Sequence, residues 1–330
     1  MPTVMPSSSP SRRCMDLRPE RPVPGIVEDA AAGLLEAPRS LPPKYFYDAV
    51  GSALFDRICD TPEYYPTRTE AALLAAHAGD IMRRCQPRAL VELGSGTSRK
   101  TRHLLRAAPA PARLTYWPLD VCEPVLEAQA IALEQEFPGL AVQPLVGDYH
   151  GGLAHLPPMP GPRLFVFLGG TLGNFRHHEA LALLQELAVL MAPADALLLG
   201  VDRVKSTARL NAAYNDAAGV TAAFNLNLLQ VLNRELAADF DPAAFSHHAA
   251  YDERAAQIEM ALISRRAQQV ELGALQRCIT LAEGEPIRTE ISRKFTPESL
   301  RALLAEAGLG LEALYQPEDG SFSLVSARRG

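Results

Sequence analysis

The chain has 330 residues, 48% hydrophobic and 21% charged, with a net charge of −6. That length exceeds the ~100–200 residues of an ordinary domain, and an acidic balance without a basic field argues against a nucleic-acid or membrane-surface protein. No apolar run approaches the ~20 residues that span a bilayer, and five scattered cysteines without a C-x-x-C pair argue for a reducing, cytoplasmic setting over a disulfide framework or zinc site.

Residues 1–24 carry six prolines, several serines and no apolar periodicity, and read as a disordered leader without a signal-peptide core. From 28 to 86 the pattern is helical and broken by prolines, with aromatic stretches Tyr45-Phe46-Tyr47 and Glu63-Tyr64-Tyr65-Pro66. From 88 onward, short apolar runs (Arg88–Leu93, Leu114–Val121, Leu140–Val146, Leu164–Leu168, Ala196–Val201) alternate with helix-like segments (Thr97–Ala108, Pro124–Glu136, His178–Met191). That alternation predicts βαβ units and a parallel sheet covered on both faces. Residues 205–295 break the rhythm: Ser206–Arg234 reads as helix, Gln257–Arg265 and Arg288–Phe295 as strands. The chain closes with a helix from Pro297, a strand Leu311–Gln316, an Asp319-Gly320 turn and a strand Ser321–Ala327. The expected division is a substrate-binding domain from 25–67 plus 205–295, and a sheet domain from 68–204 plus 296–330.

Chemistry-bearing residues fall at successive strand ends. Glu92-Leu93-Gly94-Ser95-Gly96 closes the first strand, and its glycines permit a tight turn and close approach to a ligand. Arg99 occupies the third glycine position of G-x-G-x-x-G, which disfavours a dinucleotide pyrophosphate and hence a nicotinamide dehydrogenase. Asp120 ends the second strand, where a carboxylate can accept ribose hydroxyls, and Asp148-Tyr149 follows the third with an acidic edge and a ring suited to adenine. Lys100 can reach a cofactor carboxylate; alternatively it is a solvated helix residue. Five parallel strands closed by an antiparallel hairpin, with these signals, resemble the α/β, Rossmann-like sheet of class I S-adenosylmethionine-dependent methyltransferases.

Six longer strings narrow the resemblance: 41–48 (LPPKYFYD), 62–70 (PEYYPTRTE), 92–98 (ELGSGTS), 167–174 (FLGGTLGN), 214–225 (YNDAAGVTAAFN) and 289–292 (TEIS). Across 30–330 the chain resembles the L-histidine Nα-methyltransferases of ergothioneine biosynthesis. The resemblance implies trimethylation of the histidine α-amino group to hercynine through mono- and dimethylated intermediates, with S-adenosylmethionine as co-substrate, no metal, and a monomeric cytoplasmic enzyme. It assigns Gly94, Lys100, Asp120, Asp148 and Tyr149 to the cofactor. It assigns Tyr64, Asn174, Tyr214, Glu290 and Ser292 to histidine, with Asn174 and Tyr214 on the carboxylate and Glu290 and Ser292 on the imidazole. Met260 lines the pocket, and Tyr47 with Asn174 orients the reacting amine. Gly170, Tyr45 and Arg293 depart from the family pattern of a hydroxyl residue, Trp and Cys.

Beside the resemblance, the residues support part of this themselves. Glu290 and Ser292 lie two apart on a predicted strand and share a face, while Arg293 points away; an acceptor and a hydroxyl suit the two imidazole nitrogens. The alternative is an exposed strand face. Asn174 follows a Gly-rich loop after the fourth strand, either facing a methyl group or capping the next helix as an Asx turn. Four tyrosines (47, 64, 65, 214) form a pocket wall or core rings. The adjacent pairs His177-His178 and His247-His248 do not share a helix face and predict no metal site, and Cys122 reads as a buried small residue. The competing readings are a relative methylating another amino acid, such as a tryptophan derivative, and a catalytically silent cofactor-binding module.

Overall fold

The structure is a computed structural model that describes residues 13–108 and 113–330. Along the chain run β1 (Met15–Asp16), α1 (Ile26–Leu34), β2 (Arg39–Ser40), α2 (Ala49–Asp60), α3 (Tyr65–Cys85), β3 (Ala89–Leu93), α4 (Arg102–Ala107), β4 (Thr115–Asp120), α5 (Glu123–Glu136), β5 (Ala141–Val142), β6 (Leu145–Val146), β7 (Arg163–Phe167), α6 (His177–Leu190) and β8 (Ala196–Asp202). There follow α7 (Thr207–Tyr214), α8 (Val220–Leu236), β9 (Phe245–Asp252), β10 (Gln257–Ser264), β11 (Gln268–Leu272), β12 (Arg277–Leu281), β13 (Pro286–Arg293), α9 (Pro297–Glu306), β14 (Leu309–Tyr315) and β15 (Phe322–Arg329).

The main sheet has the order β1-β6-β4-β3-β7-β8-β15-β14, with β5 also on β4. All pairs are parallel except those made by β15, which runs antiparallel to β8 and β14. Strands β3 and β8 are buried along their whole length, as apolar runs covered on both faces should be. One face packs Val91, Leu93, Phe165 and Phe167 against α6 and α9. The other packs Leu90, Leu164 and Val166 against α3, α4 and α5. The strand order reverses at β3, between β4 and β7, so the ligand crevice of such a sheet lies beyond the carboxyl ends of these strands.

A second sheet has the order β2-β13-β10-β9, and β11 and β12 form a separate hairpin. These strands share an apolar cluster with α1, α2, α7 and α8, drawn from residues between 30 and 65 and between 210 and 287. The segment 206–234, expected as one helix, breaks after Tyr214. Gly219 takes φ +70°, and Asp216 accepts the N–H groups of Val220 (2.8 Å) and Thr221 (2.7 Å) at the start of α8.

Residues 13–24 correct the expectation of a disordered leader over 1–24; residues 1–12 lie outside the described chain. Met15 and Leu17 donate backbone hydrogen bonds to Pro144 (2.9 Å) and Val146 (2.8 Å), adding β1 to the sheet edge. Leu17 is buried against Gly147, where a Cβ would come within 2.8 Å of the Leu17 Cβ. Proline composition misled here, because a two-residue edge strand needs no periodicity and tolerates prolines nearby. Leu17→Ala should therefore cost about 2–4 kcal/mol, read as a lower urea midpoint; an unchanged midpoint would free this segment from the core.

Candidate active site

The cofactor-type residues gather at the carboxyl ends of β3, β4 and β6. After β3 the chain turns through Gly94 and Gly96, with φ of +67° and +48°, a conformation glycine adopts without strain. A Cβ on Gly96 would meet nothing within 4 Å, so the turn presents open backbone. The Asp120 carboxylate fixes it, accepting the Gly96 N–H at 2.8 Å and the Cys122 N–H at 3.1 Å. Asp148 accepts from the His150 N–H at 2.8 Å and approaches its ring at 2.6 Å. Burial raises the Asp148 pKa, but these His150 contacts outweigh it and hold the carboxylate ionised. The Tyr149 ring leans toward Gly94, 3.6 Å from where a Cβ would sit, and packs edge-on against Phe167. Open glycine backbone, a ribose-type acceptor and an acid-plus-ring pair fit S-adenosylmethionine.

Lys100 is less free than expected. It precedes α4 and pairs with Glu70, a fully buried carboxylate from α3 that also accepts the Gly169 N–H at 2.9 Å. Gly200 leaves room for it, since a Cβ there would fall 1.7 Å from Glu70 Oε1. Glu92 faces away from the turn. It accepts from Thr101 Oγ1 at 2.5 Å and from Tyr116, and burial raises its carboxyl to about 7. Cys122, expected to be buried, is exposed.

The histidine-type residues cluster around β13. In β13, Glu290 pairs across the sheet with Met260 and Ser292 with Ile258, so all four side chains share one face. Arg293 takes the other face, its guanidinium over Phe295 at 5.2 Å. The loop after β7 presses on this strand: a Cβ on Gly173 would lie 2.7 Å from the Arg293 carbonyl oxygen. That approach sets Asn174 beside β13. Its side chain is half-buried and makes no hydrogen bond among the described residues, and α6 is capped by Glu179 on the Arg176 N–H instead.

Aromatic rings close the other side. Tyr64 meets Tyr214 edge-on at 6.2 Å, Phe55 meets Tyr64, and Tyr47 meets Phe55 and Phe224. Tyr47 is 51% exposed although surrounded by protein, as a residue on an open cleft wall should be. Burial first, then the field of Glu290, raises its phenol pKa. Glu290 has no hydrogen-bond partner among the described residues, and burial pushes its carboxyl up to about 7 against the pull of Lys294.

Beneath the pocket lies a charge network that sequence reasoning missed. The buried Asp202, at the end of β8, pairs with Lys294 at 3.0 Å and Lys205 at 2.5 Å, and accepts the Tyr65 hydroxyl at 2.8 Å. Lys294 also donates to Ser292 Oγ at 2.8 Å and the Tyr214 hydroxyl at 3.0 Å, and Tyr214 donates to Ser292 at 2.8 Å. Burial costs the Asp202 charge, but Lys294 and Lys205 outweigh it and its pKa falls; Lys205 drops to about 8, mainly by desolvation. The signal for Lys294 was present: two residues beyond Ser292, alternation places it on the Glu290 face.

Parallel sheet, antiparallel closing hairpin, glycine turn and acidic strand ends together define a class I S-adenosylmethionine-dependent methyltransferase. More narrowly, a family model described as histidine-specific, SAM-dependent methyltransferase matches residues 26–329, and the chain belongs to that family. It is 49% identical to the histidine N-alpha-methyltransferase of Mycolicibacterium smegmatis, over 92% of this chain and 95% of that one. The enzyme of the same name from Mycobacterium tuberculosis is 46% identical over the same shares. An L-tryptophan methyltransferase of Psilocybe serbica is 29% identical over 90% of each chain. No helix among the described residues is long and apolar enough to cross a membrane.

Two outcomes follow from this geometry. Asp120→Ala should weaken S-adenosylhomocysteine binding by about 1–3 kcal/mol; unchanged affinity by calorimetry in the folded variant would remove Asp120 from the site. Glu290 titrates near 7 in the fold, against an ordinary value of 4.5. The folded state thus holds this proton more tightly, and stability declines as pH rises from 4.5 to 7. Ligand-free Glu290→Gln should match wild-type thermal stability near pH 4.5 and exceed it at pH 8. Equal melting temperatures at pH 8 would mean the carboxylate is already compensated.

Proposed function

We propose that this chain transfers three methyl groups in succession from S-adenosylmethionine to the α-amino nitrogen of L-histidine, giving hercynine through mono- and dimethylated intermediates. The observation that carries the substrate is Glu290: a half-buried carboxylate with no hydrogen-bond partner among the described residues, beside Ser292 and across from Met260. An unpartnered, half-buried acceptor calls for a donor on the ligand, and an imidazole N–H is one.

In this reading Gly94 and Gly96 admit the cofactor, Asp120 accepts its ribose, Asp148 and Tyr149 hold the adenine, and Lys100, steadied by Glu70, meets its amino-acid end. When bound, S-adenosylmethionine supplies an electrophilic methyl on a sulfonium sulfur. The protein's part is alignment, worth at most ~7–11 kcal/mol. Asn174 and Tyr47 orient the amine so that its lone pair faces the methyl carbon, and Asn174 donates to the substrate carboxylate. Tyr64 and Tyr214 wall the ring. Each round needs a neutral amine, so a proton leaves before each transfer; water in the open cleft beside Tyr47 accepts it. We also propose the two-domain division, 25–67 with 205–295 and 68–204 with 296–330, with histidine between the parts, and a cytoplasmic location, which scattered cysteines without a C-x-x-C pair support.

The second reading is a tryptophan-type substrate. Indole has one N–H and no ring acceptor, so it leaves the Ser292 hydroxyl unanswered. Mass spectrometry of histidine incubated with protein and cofactor should show the gain of three methyl groups. Glu290→Ala should lower kcat/KM for histidine by about 2–4 kcal/mol, mainly through KM, and narrow the preference over tryptophan. Unchanged histidine kinetics in Glu290→Ala would place the imidazole elsewhere.

A further inference from the structure

Lys294 lies beneath the substrate face and belongs to none of the roles above. Its side chain is 1% exposed. An ammonium has three protons, and three acceptors surround this one: Asp202 Oδ2 at 3.0 Å, the Tyr214 hydroxyl at 3.0 Å and Ser292 Oγ at 2.8 Å. Ser292 Oγ also receives the Tyr214 proton at 2.8 Å. With two donors on it, its lone pairs are filled. Its own proton then has one use left, donation away from the cluster, and it makes no such hydrogen bond among the described residues.

From this we infer that Lys294 is a positioning residue that fixes Ser292 as a hydrogen-bond donor to the substrate ring. Glu290, two residues earlier on the same face, supplies the complementary acceptor. Two strand residues span about 7 Å, a gap filled by two hydrogen bonds of roughly 2.8 Å with a five-membered ring between them. The polarity follows. The site takes a ring with one N–H, toward Glu290, and one bare nitrogen, toward Ser292. Neutral imidazole has that pattern; imidazolium presents two protons, one of them against the Ser292 proton. Tyr214 enters as the third member of the lock, its proton spent on Ser292 instead of the substrate carboxylate. The inference rests on the histidine reading above.

The test is a double-mutant cycle on the full-length protein, with histidine kinetics at saturating S-adenosylmethionine. Lys294→Met and Ser292→Ala should each raise the histidine KM roughly 10–100-fold, with kcat changed much less and S-adenosylhomocysteine affinity unchanged. Together they should do no more than either alone, because without Lys294 the serine proton is no longer directed. The pH dependence separates this from a structural role. Wild-type KM should rise as pH falls through the imidazole pKa, and Lys294→Met should flatten that rise, since a serine free to rotate can accept from imidazolium. Should Lys294→Met fail to melt cooperatively, the same cycle run in an Asp202→Asn background removes the charge pair together. Multiplying KM effects, or a wild-type pH profile retained in folded Lys294→Met, would overturn the role of Lys294 while leaving the histidine reading standing. A wild-type protein that does not methylate histidine would overturn both.

Discussion

Asp202 is the carboxylate on which the arrangement of the site depends. It ends β8, the last parallel strand before the chain leaves the main sheet, and it is buried. Its partners come from three directions: Tyr65 at the start of α3, Lys205 just after β8, and Lys294 where the chain returns from β13. One buried charge thus joins the N-terminal segment to the points where the chain leaves the main sheet and returns toward it. The neighbouring Arg203 reinforces the joint, donating to the Phe295 carbonyl at 2.9 Å and to Ser323 at 2.8 Å. A carboxylate so placed costs several kcal/mol to desolvate and is tolerable only when its partners are complete. Losing both lysines would leave an uncompensated charge in the interior.

Against that background of satisfied polar groups, the unsatisfied ones carry information. Glu70, Glu92, Asp120, Asp195 and Asp202 all have protein partners. Glu290 and Asn174 have no hydrogen-bond partner among the described residues, and both sit where β13 meets the loop after β7. A half-buried carboxyl without a protein partner loses hydration and gains little in return, a standing cost to stability. Its raised pKa expresses the same cost from the proton's side. On the proposed reading the cleft is a locally destabilised patch that ligand contacts complete.

The βαβ rhythm was legible because parallel strands buried on both faces read as short apolar runs, and β3, β4, β7 and β8 fall within a residue or two of the expected bounds. The turn at Gly94 was legible for a steric reason, the need for backbone without a side chain, whereas the close approach of Gly173 to β13 was not. What stayed hidden was long-range pairing. Tyr65 meets Asp202 across 137 residues of sequence and Lys100 meets Glu70 across 30, and no local pattern announces such partners. β9 escaped because its run Phe245–Asp252 mixes two histidines with small residues, so its buried positions do not alternate cleanly. The edge strand β1 escaped because two residues carry no period.

On the proposed reading, ring choice is a matter of polarity before size. Met260 faces Glu290 across the sheet, and a flexible thioether adapts to rings of different bulk at small cost. Apolar walls such as Tyr64 and Tyr214 discriminate weakly, because one missing or added group in an apolar pocket is worth only about 1–3 kcal/mol. A fixed donor and a fixed acceptor discriminate far more strongly, since any ring lacking either complement leaves a buried polar group unpaired. That asymmetry explains how one scaffold can serve relatives named for histidine and for tryptophan. The aromatic wall can stay while the polar pair on β13 changes, and substrate class follows from two side chains on one strand face and the buried ammonium that orients them.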